Sequence, residues 1–123
     1  MKNNININVD VRFIKDQSHP EHHQFTFSYT ITITNNGSIG AQLLTRRWLI
    51  QDETGHLEEV IGEGVVGQQP HLHPGESYQY TSGSVIKTAT GTMKGAYGMI
   101  NDDGERFEAE IAEFILSEPY TLH

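Results

Sequence analysis

With 123 residues and no cysteine, the chain is long enough to bury a core unaided, and thiolate nucleophiles, zinc–thiolate centres and iron–sulfur ligation are excluded. Its 16 acidic residues against 8 basic ones give a formal net charge of -8, which disfavours phosphate backbones and anionic lipid as partners. No stretch is long or apolar enough to span a bilayer as a helix, and Met1-Lys2-Asn3-Asn4 opens onto alternating residues, not a signal-peptide core. A cytoplasmic protein is expected, with neither nucleic acid nor membrane as its partner.

Residues 5–13 alternate strictly. Ile5, Ile7, Val9, Val11 and Phe13 share one face, and Asn6, Asn8, Asp10 and Arg12 the other, as a half-buried strand requires. After a polar loop holding Pro20, Phe25, Phe27, Tyr29, Ile31 and Ile33 alternate with Thr and Ser, predicting a strand with a hydroxyl-rich outer face. Asn35-Asn36-Gly37, residues that tolerate positive φ, predict a turn. From 42 to 52, Leu44, Arg46, Trp48 and Ile50 fall in one phase and Leu43, Thr45, Arg47 and Leu49 in the other, so both faces are partly apolar, as in a central strand.

Thr54-Gly55 predicts a turn, and residues 57–61 resume an extended pattern. A glycine-rich run over 62–67 leads to Pro70 and Pro74-Gly75. Tyr78 and Tyr80 then mark a strand that Ser82-Gly83 is expected to break. Met93, Gly95, Tyr97 and Met99 share a phase, Asn101-Asp102-Asp103-Gly104 reads as a hairpin turn, and Phe107, Ala109 and Ile111 begin the return strand. There the phase slips, with apolar residues continuing at Ala112, Phe114 and Leu116; one extra residue near Ala112 predicts a β-bulge or a change of sheet. About seven strands with frequent turn signals predict an all-β antiparallel sandwich, a single domain over 1–123.

Gly62-Glu63-Gly64-Val65-Val66-Gly67-Gln68-Gln69-Pro70, then Pro74-Gly75-Glu76 and Tyr80-Thr81-Ser82-Gly83, resemble the signature of the bacterial ApaG family. Ser18, Pro20, Arg46, Trp48, Gly91, Met93, Gly95, Tyr97, Met99, Phe114 and Leu116 agree in order, so the resemblance covers essentially the whole chain. It implies a fibronectin type III-like sandwich, a loose association with cobalt and magnesium resistance or efflux, and a domain reused in larger eukaryotic proteins. It supplies no catalytic residue. The chain departs from the family pattern at Gln68, Ala89, His71 and His73.

Gly62-x-Gly64-x-x-Gly67 formally matches a dinucleotide fingerprint, but Pro70 and Pro74 follow too closely for the helix that a pyrophosphate site needs. What survives is a loop whose backbone N–H groups converge on an anion, or one that the glycines simply shape. Arg46, in the phase of Trp48, is expected either to clamp a carboxylate or phosphate beside that loop, or to form an intramolecular salt bridge or lay its stem along Trp48 with its head in water. His71 and His73, two apart in an extended segment, share a face and could chelate a metal; His19, His22 and His23 with Glu21 form a second cluster. Solvated loop histidines are the plainer reading of both. Trp48 itself reads as core.

No nucleophile elbow, metalloprotease helix or phosphate loop followed by Lys-Ser/Thr occurs. The expectation is therefore a non-enzymatic binding or docking module without cofactor. Its contact surface is the hydroxyl-rich face, an edge strand or the loop over 62–75, and its partner is a protein, a second copy included. The alternatives are a phosphate- or nucleotide-binding protein using Gly62, Gly64, Gly67 and Arg46, or a metal-responsive protein using His71 and His73.

Overall fold

Two-residue alternation sets the architecture. In the computed structural model, which describes residues 2–118, the strands are β1 (Ile5–Phe13), β2 (Phe25–Asn35), β3 (Ala41–Asp52), β4 (Leu57–Glu63), β5 (His71–Leu72), β6 (Ser77–Ile86), β7 (Thr90–Asn101) and β8 (Arg106–Ser117). All pairs are antiparallel, in a sheet of order β1-β2-β6 and a second of order β4-β3-β7-β8, with β5 attached to β3. This is the expected all-β sandwich. Its eighth strand is the two-residue β5, too short to show alternation.

β2 shows how the sequence builds the core. Phe27, Ile31 and Ile33 are fully buried between the sheets, and Phe25 and Tyr29 nearly so. Each such side chain stabilises the fold by about 1.5–3 kcal/mol relative to exposure. Trp48, at the centre of the second sheet, packs against Tyr29 (ring centroids 5.4 Å apart), Phe114 (5.9 Å) and Tyr97 (6.5 Å). On the outer face of the first sheet the hydroxyls bond across strands, Thr30 to Thr81 at 2.8 Å and Thr34 to Ser77 at 2.7 Å.

Three local features refine the sequence reading. The β8 bulge is present: Met93 pairs Phe114 and Gly95 pairs Ile111, so Ala112 and Glu113 together face Lys94. A second bulge lies in β3, where Leu43 pairs Met99 and Thr45 pairs Gly98. Leu44 is the extra residue, so Leu43 rather than Leu44 enters the core, and the phase resets before Trp48. Ser82-Gly83 does not end β6, which continues to Ile86, because β2 pairs with it along its whole length and holds Gly83 extended opposite Ser28.

Each buried polar residue closes a turn, and each is the last residue of its strand: Asn35 of β2, Asp52 of β3 and Asn101 of β7. Asn35 Nδ2 donates to the Ile39 and Leu72 carbonyls, both at 2.9 Å, and its Oδ1 accepts the Gly37 N–H. The first turn therefore forms through this side chain and not through positive φ, which none of residues 35–37 adopts. Asp52 Oδ1 accepts from the Thr54 N–H and hydroxyl and from the His56 N–H, and these donors hold its carboxyl below the usual range. Asn101 Oδ1 accepts the Asp103 and Glu105 N–H groups.

The two sides of the sandwich differ. On one, the edge strands β1 and β8 lie against each other. On the other, the edges are β4 and β6, and a cleft of about 210 Å³ opens between them, bounded by Ile50 and Glu58 from one sheet and Val85 and Ile86 from the other.

Candidate functional site

The side between β4 and β6 gathers most of the residues singled out in the sequence. Arg46 pairs with Gly62 across β3 and β4. Its Nη1 donates to the Glu63 and Gly64 carbonyls, each at 3.0 Å. A Cβ on Gly62 would lie 2.7 Å from both Nη atoms of Arg46. This glycine is what lets the guanidinium lie across the strand, and the arginine is bonded to backbone carbonyls, not to a carboxylate in an intramolecular salt bridge.

Beside Arg46, the hydroxyls of Tyr80 on β6 and Tyr97 on β7 meet at 2.5 Å and join the two sheets. Burial pushes the Tyr80 phenol up to about 12, and burial raises Tyr97 further, with the nearby Arg46 charge acting against both shifts. Both hydroxyls are neutral at physiological pH.

Past Gly62 the chain does not enter a helix. It forms a tight hairpin in which Val65 N–H donates to Gln68 O at 2.8 Å and Gln68 N–H to Val65 O at 2.9 Å. Gly64 (φ +66°) leads in, and a Cβ there would meet Gln68 O at 2.4 Å. The two central residues, Val66 (φ +48°) and Gly67 (φ +77°), give the type I′ pattern. Gly67 suits it; Val66, β-branched in a left-handed conformation, is held there against a penalty of about 1–2 kcal/mol. Gly64 N–H is also committed, to Leu44 O at 2.8 Å. The N–H groups of Gly64, Val65 and Gln68 are thus donated within the protein. An anion at this loop would be met by Arg46 Nε and Nη2 and by the tip around Val66 and Gly67.

Exposed apolar side chains concentrate here. Among the described residues the exposed large hydrophobics are Leu57, Ile61, Val66, Val85 and Ile115, between 56% and 68% accessible. All but Ile115 lie on β4, on its following hairpin or on β6. Sequence reading did not single them out, although Leu57 and Ile61 alternating with Glu59 and Glu63 are a visible apolar–acidic pattern. Val66 gave no signal, since its cost lies in a backbone angle that composition does not show.

His56 lines the cleft, and His22 and His23 border Val85 and Ile86 of β6. His71 and His73 are near neighbours, with ring centroids 4.7 Å apart, but His71 Nε2 is bonded to Asp102 Oδ1 at 2.8 Å. His19 and His22 flank Glu21, at 3.6 and 4.0 Å from its Oε1. Among the described residues no group of three or more His, Asp or Glu side chains is placed to hold a metal ion, and no helix is long and apolar enough to cross a membrane.

Comparison with known proteins places this architecture. Residues 15–101 match the ApaG domain family. A Protein ApaG of Pseudomonas putida is 55% identical over 97% of this chain and 94% of its own length. That of Dechloromonas aromatica is 56% identical over 91% of this chain and 88% of its own. A crystal structure described as an ApaA protein from Bordetella pertussis superposes with a TM-score of 0.94 at 44% identity, covering 97% of both chains. The cysteine-free sandwich with Arg46 laid across Gly62 and a glycine-built hairpin beyond it therefore has close relatives in sequence and in structure, and the chain belongs to the ApaG domain family.

Proposed function

We propose that this chain is a non-catalytic docking module that engages a protein partner along the side between β4 and β6. The observation that carries the reading is the exposure of Leu57 and Ile61 on the outward face of β4 and of Val66 on the hairpin that follows it. Val85, opposite Thr26, faces outward from the other sheet at the rim of the cleft, and the opposite edges β1 and β8 lie against each other. Exposed apolar side chains gathered on one side mark interaction surfaces, whereas scattered ones do not. The strain at Val66 points the same way: a left-handed valine with its side chain in solvent does nothing for the fold, so its contribution lies outside it. The association with cobalt and magnesium resistance belongs to this reading as an effect passed through the partner.

The test is photocrosslinking in cells with benzoylphenylalanine at Leu57, Ile61 or Val66, against Thr30 on the outer face of the first sheet. Adducts with the same protein from the β4 and β6 side and none from Thr30 support the reading. Equal adducts from Thr30, or none from the other positions, end it.

A second reading, phosphate binding, is favoured by the juxtaposition of Arg46 with Gly62 and the exposed tip at Gly67. Titration with pyrophosphate separates the two. Saturable amide shifts confined to 62–67 and abolished by Arg46→Gln would establish the anion site, and their absence removes it.

A further inference from the structure

We propose that β4 accepts an extended segment of the partner as an added strand, and that this segment alternates apolar and basic side chains. The inference rests on the docking reading and specifies its chemistry.

The ladder decides which backbone groups are available. Asp52 N–H donates to His56 O and Gly64 N–H to Leu44 O, so His56 and Gly64 bond inward to β3. Antiparallel bonds alternate along a strand, and the register from Gln51–Leu57 to Thr45–Glu63 is unbroken, so Glu58, Val60 and Gly62 also bond inward. Leu57, Glu59, Ile61 and Glu63 turn their N–H and C=O groups to the free edge.

Natural edges are blunted by charged side chains, lysine above all, and by proline, bulges or covering elements. β4 contains no lysine, proline or bulge, its three charged side chains are all acidic and so leave it open to a basic neighbour, and among the described residues no strand lies beyond it. β8 is interrupted by its bulge and packs near β1. β6, the other edge on this side, presents outward a polar row whose Ser77, Gln79 and Thr81 side chains bond back to β2. β4 is the edge prepared for addition.

Side chains then select the occupant. The outward face of β4 reads Leu57, Glu59, Ile61, Glu63. A strand laid beside it meets apolar, acidic, apolar, acidic in turn, and complementary neighbours are apolar and basic. Glu59 is already shared with Arg47 at 2.8 Å, while the carboxylates of Glu58 and Glu63 have no partner among the described residues. A second copy fits less well, because two chains of formal charge -8 repel.

The experiment uses the whole chain and a synthetic capped peptide with valine and lysine at alternate outward positions and threonine between them. Amide hydrogen exchange is read with and without it. Strand addition slows exchange at Leu57, Glu59, Ile61 and Glu63 by about tenfold or more and leaves Glu58, Val60 and Gly62 as they were. N-methylating the peptide at alternate residues abolishes the effect, as does Ile61→Pro, which removes an outward N–H and leaves the β3 ladder intact; Glu63→Lys weakens it. Protection that survives N-methylation and Ile61→Pro, or no protection of the four amides, overturns the proposal. Protection without peptide in a chain that sediments as a dimer also overturns it, in favour of a second copy. If the four amides stay unprotected while Leu57 and Val66 still crosslink a partner, docking stands and strand addition falls. If those crosslinks are absent too, both fall.

Discussion

The two sides of this sandwich are built from the same kind of strand and left in opposite conditions. Where β1 meets β8, alternating apolar residues end in mutual cover and a bulge breaks the outer strand. Where β4 faces β6, the register is unbroken, the outward residues are apolar and acidic, and a cleft remains. Folding stability resides in the shared core and the strand-end turns. The β4 side carries exposure and strain that the fold does not need, and this separation makes it testable.

The largest effect belongs to the core. Trp48→Ala removes the ring that links Tyr29, Tyr97 and Phe114, and urea unfolding should show a loss of about 3–5 kcal/mol. Asn35→Ala follows, at about 2–3 kcal/mol, because the Ile39 and Leu72 carbonyls and the Gly37 N–H lose their partner together. A smaller loss would mean that water reaches this turn.

The Tyr80–Tyr97 bond tests the junction between core and open side. Both phenols ionise above the ordinary tyrosine value, so the bond contributes fully below pH about 10 and is lost as pH rises through the folded-state value, about 12 for Tyr80. Unfolding free energy measured from neutral to alkaline pH should hold and then fall across that window. Tyrosinate absorbance should show Tyr80 and Tyr97 ionising last; Tyr97→Phe should cost about 1–2 kcal/mol and flatten the decline.

The smallest effect has the opposite sign. Val66→Asn places a residue that tolerates positive φ in the hairpin tip and should raise stability by about 0.5–1 kcal/mol. It should also weaken partner capture. A stabilised chain that still docks fully would show that Val66 is not a contact.

Much of this was legible in the residues, and unevenly so. Alternation announced β1, β2 and β8, and the slip near Ala112 announced the bulge. β3 misled because both faces of a central strand are partly apolar, so Leu43 and Leu44 cannot be told apart until the bulge is seen. Gly83 misled because a glycine in a paired strand is as extended as its neighbours. Arg46 and the glycine run were each visible in the sequence, but the register that sets Gly62 opposite Arg46 comes only with the pairing of β3 and β4. Of the side proposed for docking only the loop over 62–75 and an unspecified edge strand were legible, because which strands lie at the edges depends on long-range pairing.

The most direct measurement compares paired lysine substitutions in the crosslinking experiment, with the photoreactive group kept at Val66. Leu57→Lys with Ile61→Lys should abolish the adduct and leave the unfolding midpoint unchanged. Asn6→Lys with Asn8→Lys, on the outer face of the first sheet, should leave both unchanged. An adduct that persists in the first variant, or is lost equally in the second, would contradict docking at the side between β4 and β6.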